Sequence, residues 1–429
     1  MNDSMTVRLT GLLIFGYLIM SRTFAHWGVP PLYIGEVALG AYLVAKPASM
    51  VRPWLMSLTL PTAWSPFGWL LFLSISFGLL QAICAGLNGS WLYAAEVLAF
   101  HLYPLYFFPG LWAGIKFPNF LPRLIPALAW CHGIYGLIYI LILSPLGVTQ
   151  QLDDPKNVGL FGHPNGAAIL LLALLAFQPN VRRAAVPLIL NLLVLLGLQR
   201  RAEWLGFATA ITLWCALSGH IKRLMPIGAL AGVMLLIGLI PGVRFPSPTM
   251  RGDSLSTYDL IGRVIAPISP ETAASLTENV DFYAGTAEWR SEFWGPIWNE
   301  VHSSPARALC GLGYGYHLWE LHPMDLSADP VRTPHNIFMF VLGYSGWIGV
   351  LLFFGLQAAL VRGLWASFRE TGEPFALCLW ALGMVWALFD PLLERPMGAI
   401  PLYLLIGVTA SAVRPRESEP ELETSVGAV

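Results

Sequence analysis

Long apolar segments separated by short polar turns dominate this sequence and constrain its fold most strongly. A helix that crosses a bilayer needs about 20 mostly apolar residues, and only 11% of the chain is charged, against about 25% in an ordinary soluble domain. The sequence therefore predicts an all-α integral membrane protein with about twelve transmembrane helices, and it excludes a soluble enzyme and a disordered chain. We predict the spans at 9–27, 31–46, 67–85, 91–115, 121–143, 163–178, 184–199, 202–218, 224–243, 336–361, 375–390 and 397–413.

Net charge and cysteine content exclude several other classes of protein. The formal net charge is -1, so the chain has no global positive field that would attract nucleic acid. The five cysteines are scattered and form no C-x-x-C pair, so neither a zinc site nor a disulfide framework is indicated. We expect no metal site and no nucleic-acid partner.

Lysine and arginine in the short loops predict the orientation of the chain in the membrane. If the N-terminus is cytoplasmic, the inner loops hold most of these residues, and the long segment 244–333 lies on the outer side with both termini inside. The pair Arg200-Arg201 falls on the outer side, against the general bias, and this favours a functional explanation for it.

The predicted spans divide the chain into five parts. Residues 1–150 hold helices 1–5, residues 151–243 hold helices 6–9, residues 244–335 form one long outer loop containing helices, residues 336–413 hold helices 10–12, and residues 414–429 form a disordered acidic cytoplasmic tail. Within the loop, residues 284–303 predict a helix with a broad aromatic face, kinked at Pro296 and suited to the lipid interface.

Ionisable groups at the mouth of a membrane bundle are costly, so they are functional candidates. Three clusters fall on the predicted outer side: Gly162-His163-Pro164-Asn165, then Gln199 to Trp204 with Arg200, Arg201 and Glu203, and finally Glu288, Arg290 and Pro334-His335-Asn336. Guanidinium groups bind phosphate oxygens in a bidentate manner, and histidine exchanges protons near neutral pH. Together the clusters predict a site for an anionic lipid headgroup.

Several motifs resemble those of the O-antigen ligase superfamily. His335-Asn336, nine residues and then Gly346-Trp347-Ile348-Gly349 read H-N-x9-G-x-x-G, and Phe161 to Asn165 looks like the family's H-P-N turn. Arg201-x-x-Trp204 resembles its S-R-x-x-W turn, with Arg200 in place of the usual serine. Trp289-Arg290, Trp294 and Gly311 to Gly315 resemble the loop before the histidine. The resemblance covers roughly residues 155 to 361.

The resemblance implies a glycosyltransferase of the bacterial inner membrane that uses no metal, nucleotide or other cofactor. Its donor would be a glycan on undecaprenyl pyrophosphate, presented on the periplasmic face, where the loop 244–333 lies. A ligase passes this glycan to lipid A-core in lipopolysaccharide biosynthesis, whereas a polymerase passes it to the next repeat unit of a growing polysaccharide. The H-N-x9-G-x-x-G match leans toward a ligase and leaves the polymerase open.

The resemblance also implies roles for individual residues. Arg201 and Arg290 would hold the pyrophosphate and His335 would be the essential histidine, and the chemistry agrees with these roles. A departing pyrophosphate needs its charge stabilised, and the acceptor hydroxyl needs a general base; attack from the opposite face would invert the anomeric centre. We expect Thr333 and Pro334 to mark a helix start whose dipole keeps His335 neutral. Further substrate-binding candidates are Arg200, Asn336, His163, Asn165 and Glu288.

Simpler interpretations remain open for each residue and for the whole chain. Arg200 or Arg201 could anchor the chain at the interface, His163 could organise its turn, and Glu203 and Glu288 could pair with the arginines. A transporter of the lipid-linked glycan would also have many spans, but it would show two matching halves, which this sequence lacks. A scaffolding subunit would not need three such clusters on one side.

Overall fold

The computed structural model of the chain describes residues 3–29, 32–146, 161–178, 183–198, 200–237, 239–240, 245–246, 254–266, 269–276, 280–322 and 333–410. The described part is helical apart from two short antiparallel hairpins, β1 (Gly28–Val29) with β2 (Leu32–Tyr33) and β3 (Phe245–Pro246) with β4 (Ser254–Leu255). The predicted all-α class is therefore confirmed. The predicted tail 414–429 lies outside the described residues.

The helices of the first half of the chain correspond to the first seven predicted spans, except the helix Pro47–Thr59, which lies between the predicted spans 31–46 and 67–85. They are α1 (Asp3–Ala25), α2 (Ile34–Ala45), α3 (Pro47–Thr59), α4 (Ser65–Leu87), α5 (Trp91–Leu102), α6 (Phe107–Lys116), α7 (Phe120–Ile138), α8 (Ala167–Phe177) and α9 (Ala185–Gly197). A 3-10 turn at Tyr103–Tyr106 joins α5 to α6, and a π-helical turn at Tyr139–Leu143 extends α7.

The second half contains the loop helices and the last spans. They are α10 (Arg201–Ser218), α11 (Met225–Ile237), α12 (Thr257–Ile265), α13 (Pro270–Ala274), α14 (Val280–Val301), α15 (Pro305–Cys310), α16 (Ile337–Thr371), α17 (Phe375–Ala387) and α18 (Pro396–Ala410). Further 3-10 turns lie at Ile221–Leu224 and Leu318–Leu321. Each predicted span thus contains a described helix.

Only part of the predicted set of spans passes a test of length and apolarity. Four helical segments of the described chain could cross a membrane on these criteria, namely Asp3–Ala25, Ser65–Leu87, Phe120–Leu143 and Ile337–Thr371. The number rises to five if α2 and α3, which are bent by 80°, form one span. The other helices are shorter, in part because proline interrupts them: the predicted span 91–115 breaks at Pro104 into α5, a turn and α6. Twelve spans therefore stay a prediction.

Close helix crossings hold the centre of the bundle together. Helix α18 packs along α6 and α1. At the α6–α18 crossing, each of the two helices contributes a glycine that faces the backbone of the other helix. A Cβ on Gly407 would collide with the backbone of Phe107, and one on Gly110 would collide with the backbone of Leu404. Small residues let helix backbones approach in this way inside a membrane, where packing drives helix association.

Helix α14 confirms the helix predicted at 284–303. Phe293, Ile297 and Val301 are each 0% exposed because α14 packs against α16 and the 3-10 turn Leu318–Leu321. Protein therefore covers this part of the aromatic face, whereas Trp298 is 43% exposed, and the interfacial location stays a prediction. The packing fixes α14, which carries Arg290, onto the bundle.

The Gly-rich turn Gly311 to Gly315, which precedes α16, packs against a kink inside that helix. Gly346 has φ +60° and ψ -163°, a conformation that is essentially restricted to glycine. The backbone of Leu312 donates to the carbonyl of Gly343 at 2.8 Å, and a Cβ on Gly346 would collide with the backbone of Leu309 and Gly311. The G-x-x-G part of the motif thus provides a backbone-to-backbone contact between the loop and α16.

Replacing Gly346 with alanine is expected to destabilise the protein. The strained backbone conformation alone costs about 1–3 kcal/mol for a residue with a side chain, and the collision with Leu309 adds to it. The apparent melting temperature in detergent measures the effect. Gly355→Ala in the same helix is the control, because a Cβ there makes ordinary contacts at 3.7 Å. Equal melting temperatures for the two variants would contradict this account of the kink.

Candidate active site

Hydrogen bonds fix the residues on both sides of His335, just before α16. The carbonyl of Pro334 accepts a hydrogen bond from Trp294 Nε1 at 2.8 Å, so α14 holds the residue before the histidine. The residue after it, Asn336, donates from Nδ2 to the carbonyl of Leu388 at 3.0 Å. Because both neighbours are fixed, the backbone of His335 has little freedom to move.

Asn336 also begins α16. Its Oδ1 accepts from the backbone N–H of Met339 at 3.0 Å, which is the bond that an N-cap residue makes. Helix α16 therefore starts at Ile337, next to the predicted start of this span at residue 336 and just after Thr333 and Pro334. Since both ends of the Asn336 amide are used in this way, its described contacts assign it to the helix start, where it fixes the histidine through the backbone.

His335 itself adopts a backbone conformation that is unusual for its residue type. Its φ is +50°, and Ser21 is the other non-glycine residue of the described chain with positive φ. A left-handed conformation costs an L-residue roughly 1–2 kcal/mol, and such strain clusters at functional sites. The imidazole meets the edge of Trp289 with 5.7 Å between ring centroids, and the side chain keeps 30% of its surface exposed. The ring is thus held in place and still open to a ligand.

Asp390 is the carboxylate that faces the imidazole. Its Oδ1 lies 4.0 Å from His335 Nδ1, beyond hydrogen-bond range but close enough for a strong charge interaction. Its Oδ2 accepts from Trp386 Nε1 at 3.0 Å, which fixes the orientation of the carboxylate. The side facing Asp390 is Nδ1, so Nε2 is the ring nitrogen directed away from the carboxylate. A carboxylate in this position can stabilise the imidazole ring once the ring has taken up a proton.

Arg290 lies beside the same carboxylate. Its Nη2 donates to the carbonyl of Phe389 at 2.9 Å, and the negative charge of Asp390 acts on it. Burial lowers the pKa of the Arg290 guanidinium, and Asp390 opposes that shift; the group remains charged because a free arginine titrates far above neutral pH. Arg290, Asp390 and His335 therefore form one cluster, called here the histidine cluster.

The second predicted cluster, the H-P-N turn, is built into the bundle by backbone contacts. Asn165 donates its N–H to the carbonyl of Leu18 at 3.1 Å, and Tyr135 donates its hydroxyl to the carbonyl of Gly162. His132 receives the N–H of Gly166 at 3.1 Å on Nε2. These bonds tie the turn to α1 and α7.

His163 and Asn165 meet the arginine pair from this turn. Arg200 donates from Nη1 to Asn165 Oδ1, which brings the H-P-N turn and the Arg turn together as predicted. Burial lowers the pKa of His163 well below its usual value, and the positive charges of Arg200 and Arg22 lower it further. A neutral imidazole adds no charge for binding phosphate, so the geometry favours the simpler role of His163 in organising the turn.

Arg201 and Trp204 start α10 beside these contacts. Arg200 is the N-cap residue, Arg201 is the first helical residue and is half-buried, and Trp204 donates from Nε1 to the carbonyl of Leu195 at 2.8 Å. The tryptophan thus joins the end of α9 to the start of α10 and sets which residues open the helix. Asn165 holds the guanidinium of Arg200.

Glu203 does not act as the salt-bridge partner that we expected. It is 0% exposed, and its Oε1 accepts the backbone N–H of Ala168 at 3.1 Å, close to the start of α8. A carboxylate there satisfies an N–H that the helix leaves unpaired and is favoured by the helix dipole. Its Oε2 has no hydrogen-bond partner among the described residues. Arg200 acts on Glu203 electrostatically, but Glu203 forms no ion pair among the described residues because its carboxyl group binds the start of α8.

Helix packing brings the Arg turn toward the histidine cluster. Helix α10 packs along α17, and Asp390 follows α17 directly. The carboxylates of Glu203 and Asp390 are close enough to interact electrostatically. A hydrogen bond from Arg200 to Asn165 joins the Arg turn to the H-P-N turn. His335 faces Asp390 at 4.0 Å, and Arg290 binds the neighbouring carbonyl of Phe389 and interacts with Asp390 electrostatically. The side chain of Glu288 lies outside the described part.

Sequence reasoning missed the segment between α17 and α18. Asp390 was assigned to the end of a predicted span, 375–390, whereas α17 ends at Ala387. Asp390, Glu394 and Arg395 are the charged residues between the two last apolar segments. The rule that singled out the other clusters, that ionisable groups at the mouth of a bundle are candidates, would have found Asp390 had it been applied to this segment.

Glu394 is a second buried carboxyl next to the histidine cluster. It is 6% exposed, and neither carboxyl oxygen has a hydrogen bond of normal geometry in the described chain. Burial raises the pKa of Glu394 to about 8, against the opposing effects of Arg395 and Thr333. The protonated, neutral form of Glu394 is therefore favoured at neutral pH, as expected for a buried carboxyl without an ion pair.

We expect Glu394 to make stability depend on pH. An unfolded glutamate titrates near pH 4.3, so the raised pKa of the folded state costs stability progressively as pH rises from there to about 8, and no further above it. Glu394→Gln, which stays neutral, should melt at nearly the same temperature as the parent near pH 4.5 and at a higher temperature at pH 8.5. The control is Glu370→Gln at the exposed end of α16. Parallel melting curves for Glu394→Gln and the parent across this range would contradict the assignment.

Within the described ranges, no group of three or more His, Cys, Asp and Glu side chains is placed to hold a metal ion. The candidate site consists instead of guanidiniums, one accessible imidazole and one carboxylate that faces both. Such a set can bind a phosphate-bearing ligand and can move a proton.

Comparison with known proteins agrees with this site. A family model described as O-Antigen ligase matches residues 186–354. The match spans the Arg turn, α14, His335 and the kink at Gly346, and it excludes the H-P-N turn and Asp390. The curated proteins contain no match to the chain.

Proposed function

We propose that this chain transfers a glycan between lipid-borne substrates. The premise is membership of the O-antigen ligase superfamily, whose family model matches residues 186–354. The family consists of membrane enzymes of the ligase and polymerase type, and the apolar helices agree with a membrane protein. The donor is a glycan on undecaprenyl pyrophosphate, and the acceptor is a sugar hydroxyl of lipid A-core. The enzyme lies in the inner membrane with the candidate site on the periplasmic side.

The observation that carries the proposal is the histidine cluster. The His335 imidazole lies 4.0 Å from the Asp390 carboxylate, and the Arg290 guanidinium binds the carbonyl of the neighbouring Phe389 and interacts electrostatically with Asp390. A proton acceptor beside a phosphate-binding group is what the transfer of a sugar from a pyrophosphate to a hydroxyl requires. A binding protein or a scaffold would not need the base.

The transfer is a displacement at the anomeric carbon. The acceptor oxygen forms a bond to that carbon while the bond to the pyrophosphate oxygen breaks, and the electron pair leaves with undecaprenyl pyrophosphate. The hydroxyl proton passes to Nε2 of His335, the nitrogen directed away from Asp390. Asp390 stabilises the positive ring that results. Attack from the face opposite the leaving group inverts the anomeric centre.

The arginines stabilise the negative charge of the pyrophosphate leaving group. The described contacts of Arg290 use one N–H, toward Phe389, so its remaining donors can reach phosphate oxygens. Arg201, with Arg200 beside it at the mouth of α10, supplies further positive charge. Preorganised charge directed at a departing oxyanion is commonly the largest single contribution to catalysis. We assign Asn165 to holding Arg200 and Asn336 to holding His335.

The direct test uses purified protein with undecaprenyl pyrophosphate glycan and no added divalent ion. One reaction also contains lipid A-core, and a second contains the donor alone. Glycan joined to lipid A-core in the first reaction only is the expected result and identifies a ligase. Longer glycans in the second reaction would identify a polymerase of the same superfamily. No transfer in either reaction, with intact donor bound by the protein, would contradict a transferase and favour a transporter.

Asp390→Asn tests the role of the carboxylate as a positioning residue. We expect kcat to fall by about tenfold to a hundredfold with little change in KM for the donor, because Asp390 acts through His335. Removing the negative charge should also lower the pKa of His335, so the acidic limb of the pH–rate profile should move to lower pH. A lower rate with an unmoved pH profile would indicate a merely structural role.

A further inference from the structure

The end of α1 away from the candidate site borders a cavity. Its volume is about 510 Å³, and α1, α3 and α6 contribute to its wall. Lys46, Arg52 and Lys116 line it with a single acidic residue, Asp3. The net charge of the lining is therefore positive, in a chain whose overall formal charge is -1. This region plays no part in the mechanism above and is called here the basic cavity.

The cations of the basic cavity are not all neutralised by protein groups. Lys46 forms an ion pair with Asp3 and lies 5.7 Å from the ring centroid of Trp112. In the part of the chain that the structure describes, Arg52 and Lys116 have no ion pair or side-chain hydrogen bond. Asp3 also interacts electrostatically with Lys116, but one carboxylate cannot balance three cations around a concave site, and this net positive charge favours an anionic ligand.

The basic cavity and the candidate site lie at opposite ends of the same helix. Asp3 borders the cavity at the first residue of α1, whereas Arg22, near its last residue, acts electrostatically on His163 of the H-P-N turn. Helix α1 has 23 residues and a kink at Ser21, so its straight part corresponds to about 27 Å, close to the thickness of a hydrocarbon core of about 30 Å. Since α1 is long and apolar enough to cross a membrane, we infer that the two sites face opposite leaflets.

The surroundings of the basic cavity suit a lipid headgroup. Helix α3 turns by 80° from α2 at Lys46, so it lies across the direction of the preceding helix, as a helix at a membrane surface does. Apolar side chains border the cations and remain open to the outside: Met56 is 44% exposed and Ile115 is 62% exposed. Trp64 and Trp112 complete the wall, and tryptophan is favoured at the depth of lipid headgroups.

We propose that the basic cavity binds the phosphate headgroup of an anionic glycerophospholipid from the leaflet opposite the candidate active site. Arg52 and Lys116 contact the phosphate oxygens, Lys46 adds its charge beside them, and the exposed apolar side chains of α3 and α6 contact the acyl chains. Basic pockets between helices on the cytoplasmic side bind anionic lipids in this way. The apolar border favours a lipid over free phosphate, and the uncompensated charge favours an anionic lipid over a zwitterionic one.

A binding experiment on the full chain tests the proposal without reference to activity. Delipidated protein in a neutral detergent is titrated with phosphatidylglycerol, with phosphatidylcholine of the same acyl chains, and with inorganic phosphate, and native mass spectrometry counts bound molecules. We expect one phosphatidylglycerol to bind at least tenfold more tightly than phosphatidylcholine. Equal binding of the two lipids, or binding of phosphate as tightly as phosphatidylglycerol, would overturn the proposal.

Two substitutions locate the bound lipid. Arg52→Gln with Lys116→Gln should weaken phosphatidylglycerol binding by about fivefold per cation, whereas the matched control Arg123→Gln changes an exposed cation of α7 outside the cavity. Single variants guard against misfolding of the double variant, since each should show its own partial loss. Equal weakening by Arg123→Gln, or no weakening by either cavity variant, would overturn the assignment. Dimers that disappear in the double variant would assign the surface to a second copy of the chain instead.

Discussion

Glycan transfer is expected to fall below detection when His335 is replaced, while the protein remains folded in the membrane. Removal of a positioned general base typically reduces the rate by about 10²–10⁴-fold, and His335 is the accessible imidazole of the histidine cluster. Alanine removes the base but also places a residue without special tolerance at φ +50°. Asparagine tolerates the left-handed region and cannot act as a base near neutral pH, so His335→Asn separates loss of chemistry from loss of structure.

The two variants should therefore agree in rate and differ in stability. Initial rates of glycan transfer are measured with purified His335→Ala, His335→Asn and the parent, together with their melting temperatures. The control is His220→Ala, which removes an exposed histidine just after α10 and should leave the rate unchanged. Normal transfer by His335→Asn would exclude the proposed base, whatever the alanine variant does.

The helices were predictable because each apolar segment is long relative to its turns. The hydropathy pattern did not predict where the helices within these apolar segments are interrupted. Pro104 interrupts one predicted span with a 3-10 turn, and α2 bends by 80° into α3 at Lys46. Both breaks depend on which neighbouring helix replaces the lost backbone bonds, and this is a property of the packed bundle. Hydropathy alone therefore predicted the number of apolar regions better than the number of continuous spans.

The candidate site was partly predictable for a similar reason. His335, Arg290, Arg200 and Asn165 are polar groups in an apolar chain, and the structure joins the last two by a hydrogen bond and places the first two beside Asp390. The role of Glu203 was not predictable, because it depends on the start of α8 approaching α10 from a distant part of the sequence. The role of Asp390 depends likewise on contacts with α14 and with the residue before α16.

Arg290 is expected to contribute the geometry of its guanidinium group as well as its positive charge. Its guanidinium is anchored by the Phe389 carbonyl at 2.9 Å and lies beside the Asp390 carboxylate. This anchoring fixes the plane of the group, so its remaining donors have a defined direction. A planar fork can bind two oxygens of a pyrophosphate at once, whereas a lysine ammonium acts as a point charge on a flexible chain. Geometry as well as charge should therefore matter at this position.

Arg290→Lys should consequently lose most of its activity although the charge is kept. We expect kcat to fall by about 10²–10³-fold, the usual effect of losing one donor to a developing oxyanion, and KM for the lipid donor to rise. Initial rates over a range of donor concentrations measure both. The matched control is Arg307→Lys, since Arg307 is an exposed loop arginine whose guanidinium pairs with Glu300, and it should transfer glycan at the parent rate. Full activity in Arg290→Lys would exclude bidentate contact with the pyrophosphate and would leave Arg200 and Arg201 as the phosphate-binding groups.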